Sequence, residues 1–112
     1  MPELPEVHTT IRTLVRSGIL GARIVEACVA WNRTVGGDPD AFRRLVTARL
    51  ITKIGRRGKY IVVSTDTAVT LLVHLRMSGR LYVEEKTVPK SRYERVTLSL
   101  NDGREVRFYD PR

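Results

Sequence analysis

Pro2 and Glu3, in the opening MPELPEV, form a pair that can do chemistry. Once Met1 is removed, Pro2 is a free secondary amine and Glu3 a carboxyl group directly beside it. Such an amine attacks an electrophilic sugar carbon and forms an iminium without first losing a second proton. An α-amino group titrates near pH 8, so a useful fraction is unprotonated at neutral pH. Burial, or a cation such as Lys59, lowers that value further, and a buried Glu3 can give or take a proton. The same letters also have a plain structural use, since proline suits the first turn of a helix and PELPE reads equally as a helix lead-in.

Three further stretches carry candidate binding groups. GRRGKY (55–60) places two glycines around two arginines, then Lys59 and an aromatic residue. Such a turn brings backbone N–H groups and a lysine to a phosphate, or is simply a basic hairpin turn. HLRMSG (74–79) follows the apolar VTLLV, so His74, Arg76 and Gly79 lie where a buried strand emerges. Met77 is flanked there by charge and small residues. It is suited to wedging into a base stack, and equally to filling a gap in a core. Arg112 closes the chain after Asp110 and Pro111, placed either to enter a nucleic-acid groove or to trail at a terminus.

The elements that must hold these groups follow from periodicity. Val7, Ile11, Leu14 and Val15 recur at helical spacing from Pro5 to about Ser17. ARIVEACVAW alternates as a strand ending near Trp31. Asp38 as cap, Pro39 in the first turn and the stripe Phe42, Leu45 and Val46 predict a second, short helix. From Ile51 onward the text is strand-like, and NDG between Val96-Leu98-Leu100 and Val106-Phe108 signals a hairpin. The expectation is an α+β domain, a two-layer β-sandwich or flattened barrel of seven or eight strands with two flanking helices, formed by residues 1–112 as one unit.

Composition narrows the partners. The formal charge is +8, and between Ala41 and Thr65 stand seven basic residues and no acid. That asymmetry points to a polyanion. The single cysteine, Cys28, excludes an internal disulfide or a paired-cysteine zinc site, and its apolar neighbours predict a buried thiol. No apolar run approaches the roughly 18 residues of a membrane span, so a soluble, cytoplasmic protein is expected. Seven aromatic residues without a paired surface pattern speak against an RNA-stacking module.

Taken together and in this order, MPELPEV, GRRGKY, HLRMSG and YDPR resemble the N-terminal domain of bacterial formamidopyrimidine-DNA glycosylase, over essentially all 112 residues. The resemblance is weaker to the endonuclease VIII branch, whose opening usually lacks Leu4 and whose wedge loop differs. The family resemblance implies base excision repair of damaged double-stranded DNA, with excision of 8-oxoguanine and formamidopyrimidines followed by AP lyase β,δ-elimination. It implies Pro2 as the nucleophile, forming an imine at the anomeric carbon, and Glu3 as the acid/base residue at the sugar ring oxygen. Glu6 would support the active site, and Lys59 and His74 would grip phosphates around the extruded nucleotide. Met77 and Arg112 would fill the gap left by the extruded base, Arg112 facing the orphaned cytosine.

The chain departs from the family pattern at His8, where glutamate is frequent, and at Arg76, where glycine is common and an added cation would tighten phosphate contact. Family members continue beyond DPR to a third wedge residue, a phenylalanine, then to a helix-two-turn-helix domain and a zinc finger. The resemblance therefore implies a structural zinc outside these residues and no cofactor or metal within them. It implies weak activity for residues 1–112 alone; the alternative is a catalytically silent, basic DNA-binding or structural domain.

Overall fold

The computed structural model describes residues 4–112. Helix α1 (Leu4–Arg16) turns Val7 and Leu14 fully inward with Ile11 packed beside them. Val15 lies roughly 80° round the helix from Val7, on the rim of that stripe, and is exposed. Strand β1 (Ile24–Val29) follows, then a single 3₁₀ turn (Asn32–Thr34) and helix α2 (Pro39–Val46). The Asp38 carboxylate accepts the N–H of Asp40 at 3.1 Å, and Pro39 opens the helix as expected. Val46 is buried and Phe42 packs on the core, whereas Leu45 sits on the far flank of this short helix and is exposed.

Six more strands complete the chain: β2 (Ile51–Arg57), β3 (Tyr60–Thr65), β4 (Thr70–His74), β5 (Arg80–Glu85), β6 (Glu94–Leu100) and β7 (Arg104–Tyr109). They form a four-stranded sheet of order β1-β6-β7-β5 and a three-stranded sheet β2-β3-β4, antiparallel at every pairing. The core lies between the sheets, built from Ile24, Ile54, Ile61, Val63, Leu98 and Val106. Helix α1 packs on β2, β3 and β5 and so bridges both sheets, while α2 covers β1.

The expected burial of Cys28 does not hold, because its side chain is exposed. A bulge between Ile24 and Glu26 shifts the pairing of β1 with β6. Past the bulge the alternation is reset, so Ile24 and Ala27 point inward and Cys28 outward. The hairpin expected at NDG joins β6 to β7 through three residues, with Gly103 at φ 85° supplying the left-handed position such a loop requires. Arg104 hydrogen-bonds the Asp102 carboxylate and holds its pKa below the ordinary value. The Arg104 guanidinium also donates to the carbonyl of Ser17 at the end of α1, fastening the hairpin to the helix.

One connection was not legible in the sequence. Strands β5 and β6 both lie antiparallel to β7, so they run parallel to each other, and residues 86–93 must return across the outer face of β7. This strap seals charged residues that alternation alone would leave in water. Arg107 is 1 % and Glu105 2 % exposed. The Arg107 guanidinium donates to Val88 O at 2.7 Å and Glu85 O at 3.3 Å and pairs with Glu105 at 3.0 Å, while Ser99 Oγ donates to Glu105 at 3.3 Å. Beside them Tyr82 donates its phenol proton to Glu94.

Candidate functional site

Antiparallel register determines which residues share an end of the sandwich. Arg57, Tyr60 and His74 form one row across the three-stranded sheet, and Arg80, Tyr109 and Glu94 form another across the four-stranded sheet. The turn at Gly58-Lys59, the loop 75–79 and the segment 110–112 therefore leave the sandwich at the same end. Glu6, in the first turn of α1, faces that end too. Pro2 and Glu3 lie outside the described residues.

Two adjoining hollows occupy this end. The first is lined by Glu6, Thr9 and Thr13 of α1 together with Met77, Arg80 and Pro111. The second is lined by Trp31, Tyr60, His74, Arg76, Arg95 and Arg112, among others. The expected site residues are thus divided: Glu6 and Met77 share one hollow, His74, Arg76 and Arg112 the other. Lys59, exposed on its turn, lines neither, although Tyr60 beside it pairs with His74.

His74 is fixed by two contacts. Its Nδ1 accepts the backbone N–H of Arg76 at 2.9 Å, and its ring meets the ring of Tyr60 edge-on with centroids 5.0 Å apart. With Nδ1 an acceptor, the neutral ring carries its proton on Nε2, a donor that has no hydrogen-bond partner among the described residues. Arg76 itself takes a left-handed backbone conformation, φ 56°. That geometry suits glycine, so this chain keeps an arginine there at a steric cost of about 1–2 kcal/mol.

The loop that follows is a tight turn. Gly79 N–H donates to Leu75 O at 2.7 Å, and a Cβ at position 79 would lie 2.4 Å from that oxygen, so only glycine fits. Leu75 is buried and anchors the base of the loop, while Met77 at its tip is 69 % exposed. The methionine fills no gap in the core; it stands out as an apolar prong.

Several residues that the sequence did not single out organise this end. Asp110 Oδ1 accepts both Ser78 Oγ at 2.7 Å and the backbone N–H of Arg112 at 3.0 Å. The second bond is an Asx turn, a signal that DPR carried openly. Arg95 lays its guanidinium over Trp31, 4.2 Å from the ring centroid, and donates through Nε to Asp110 O at 2.8 Å. Trp31 and Arg95 are far apart in sequence, and no local pattern joins them. The second hollow gathers Arg33, Arg76, Arg95 and Arg112 around one carboxylate, Asp110, and is suited to anions.

A helix-flanked antiparallel sandwich collects arginines, a histidine donor and an exposed methionine at a single end, which is thereby suited to anions. More narrowly, the chain belongs to the formamidopyrimidine-DNA glycosylase N-terminal domain family, whose model matches residues 1–112. It is 43 % identical over 114 residues to the formamidopyrimidine-DNA glycosylase of Roseiflexus sp. and 41 % identical over 113 residues to that of Chloroflexus aurantiacus. All of this chain is covered in both cases, with 41 % and 40 % of those relatives. The chain therefore spans about two fifths of the length of the curated relatives it matches. The fold matches the Lactococcus lactis Fpg protein bound to FAPY-dG DNA with a TM-score of 0.88 and 27 % identity, over 96 % of this chain and 40 % of that one. The wild-type Lactococcus lactis Fpg bound to N7-benzyl-Fapy-dG DNA gives 0.89 and 28 %, over 97 % and 40 %. These matches bear out the expected α+β sandwich and the family resemblance.

Proposed function

We propose that the protein is a bifunctional DNA glycosylase and AP lyase that removes oxidised purines from damaged double-stranded DNA, and that residues 1–112 supply its nucleophile and its lesion-side grip. The observation that carries this reading is the convergence, on the end faced by the first turn of α1, of an anion-suited hollow, the Nε2 donor of His74 and the exposed Met77.

On this reading the Pro2 amine attacks C1′ of the damaged nucleoside while Glu3 protonates the ring oxygen. The base departs with its bonding electrons and takes up a proton, and the opened sugar is left as an iminium on Pro2. Loss of a C2′ proton then expels the 3′ phosphate, and a second elimination expels the 5′ phosphate. His74, Arg76 and Lys59 hold the phosphates around the extruded nucleotide, Glu6 supports the active site, and Met77 and Arg112 occupy the vacated stack. Extrusion costs a few kcal/mol, which these contacts offset. The reading asks no cofactor of these residues, assigns any family zinc to a region outside them, and places the protein in the cytoplasm with the nucleoid. Among the described residues no helix is long and apolar enough to cross a membrane.

The test is borohydride trapping on an abasic-site duplex at low salt, with intact mass reporting whether Met1 is removed. A covalent adduct that mass mapping places on Pro2, and that is lost when Met1 is retained, supports the reading. A folded sample with a free Pro2, in the protein as its gene encodes it, that traps nothing leaves the silent, DNA-binding alternative standing.

A further inference from the structure

The two prongs assigned above to the vacated stack come from different parts of the chain and stand in different hollows. Met77 rides on the loop between β4 and β5, and Arg112 on the segment leaving β7. Among the described residues one direct hydrogen bond connects them. Ser78, the neighbour of Met77, donates its hydroxyl to Asp110 Oδ1 at 2.7 Å, and that same oxygen receives the Arg112 N–H at 3.0 Å.

The backbone on the Arg112 side is pinned independently. Arg95 Nε donates to Asp110 O at 2.8 Å, and Tyr93 O accepts the Asp110 N–H at 3.0 Å. The guanidinium of Arg95 is itself held over Trp31, 4.2 Å from the ring centroid, and near Tyr93, 5.6 Å away. On the other side, the Leu75–Gly79 turn leaves the loop little freedom. Each arm is rigid at its base, and Asp110 is the point at which the arms meet.

We infer that Asp110 is a positioning residue that holds the Met77 loop and the Arg112 segment as one unit, so that both prongs enter the duplex together. A carboxylate oxygen suits this use because it accepts two donors at once, whereas an aliphatic side chain accepts neither. The consequence for extrusion rests on the function proposed above; the tie itself does not.

Residues 1–112 contain two methionines, Met1 and Met77, and in a methyl-labelled sample the resonance lost in Met77→Leu identifies the probe at the tip of the loop. Asp110→Ala and Ser78→Ala should each shift the Met77 methyl resonance and lower its order parameter, although neither residue is Met77. Asp110→Asn, which keeps an acceptor oxygen, should restore both. A Met77 methyl that stays unmoved in Asp110→Ala overturns the proposal.

The second readout is the rate of base extrusion, followed with a fluorescent base analogue in the duplex and the protein as its gene encodes it. Met77→Ala and Arg112→Ala should be non-additive by about three- to tenfold, and additive once Asp110 is alanine. Additivity in the unmodified background overturns joint entry. Single variants that leave extrusion untouched sink the functional reading instead, while the methyl signal still decides the tie.

Discussion

The guanidinium of Arg107 and the carboxylate of Glu105 lie 3.0 Å apart on the outer face of β7, both closed off from water by the strap 86–93. A buried pair of this kind contributes little net stability, but removing one partner strands a charge. Arg107→Ala should therefore destabilise the fold by about 3–5 kcal/mol in urea unfolding. Replacing both residues together, Arg107→Met with Glu105→Leu, should cost much less than the single change.

Tyr82 makes the same region sensitive to alkali. Burial, reinforced by its hydrogen bond to Glu94 and by the charge on that carboxylate, pushes its pKa up to about 12 from the ordinary 10.0. The folded state thus holds the phenol proton more tightly than the unfolded chain. Tyr82 stabilises the fold fully below pH 10, and that contribution falls as pH rises from 10 to 12. Stability curves for Tyr82→Phe should lose this dependence, and a parallel fall in both proteins would count against it.

Arg76 combines a strained backbone with a cation in the anion-suited hollow. Arg76→Gly should raise stability by about 1 kcal/mol, because glycine adopts φ 56° without penalty. The same change should weaken DNA binding at low salt and reduce the slope of log affinity against log salt by about 1. Finding both effects in one variant would show that strain is retained here for binding.

Gly79→Ala should have the opposite effect on the fold. Its Cβ would meet Leu75 O at 2.4 Å, so the turn must open, at about 2–3 kcal/mol by thermal or urea unfolding. Met77, carried on that turn, would then lose its fixed position.

Cys28 offers a direct check on the bulge in β1. Its exposed thiol should react fully with a disulfide reagent in the native protein, without denaturant. A thiol that reacts only after unfolding would mean that the register past Ile24 is unshifted.

Much of the fold was legible because its signals are local. Asp38 and Pro39 announced α2, NDG announced the β6–β7 hairpin, and helical spacing gave the buried face of α1. Periodicity misassigned the flanks, Val15 and Leu45, since a stripe read from spacing is wider than the contact it makes. The apolar neighbours of Cys28 misled for another reason: one extra residue in a strand reverses every side chain beyond it. The burial of Arg107 and Glu105 was out of reach, because it depends on where a distant loop crosses. The candidate site was legible as separate motifs. Their meeting at one end follows from strand register, and the Arg95–Trp31 stack and the Ser78–Asp110 bond are tertiary contacts with no local sign.

The register that sends the 58–59 turn, the 75–79 loop and the 110–112 segment to one end sends the β3–β4 turn and the β6–β7 hairpin to the other. The molecule therefore has a working end and a handling end, separated by the length of its strands. Ala68, exposed in the β3–β4 turn, is a natural attachment point: Ala68→Cys with Cys28→Ser would carry a dye or a surface tether at the one thiol of residues 1–112. A molecule anchored there presents Met77 and Arg112 outward, in an orientation suited to testing single encounters with the duplex proposed as partner.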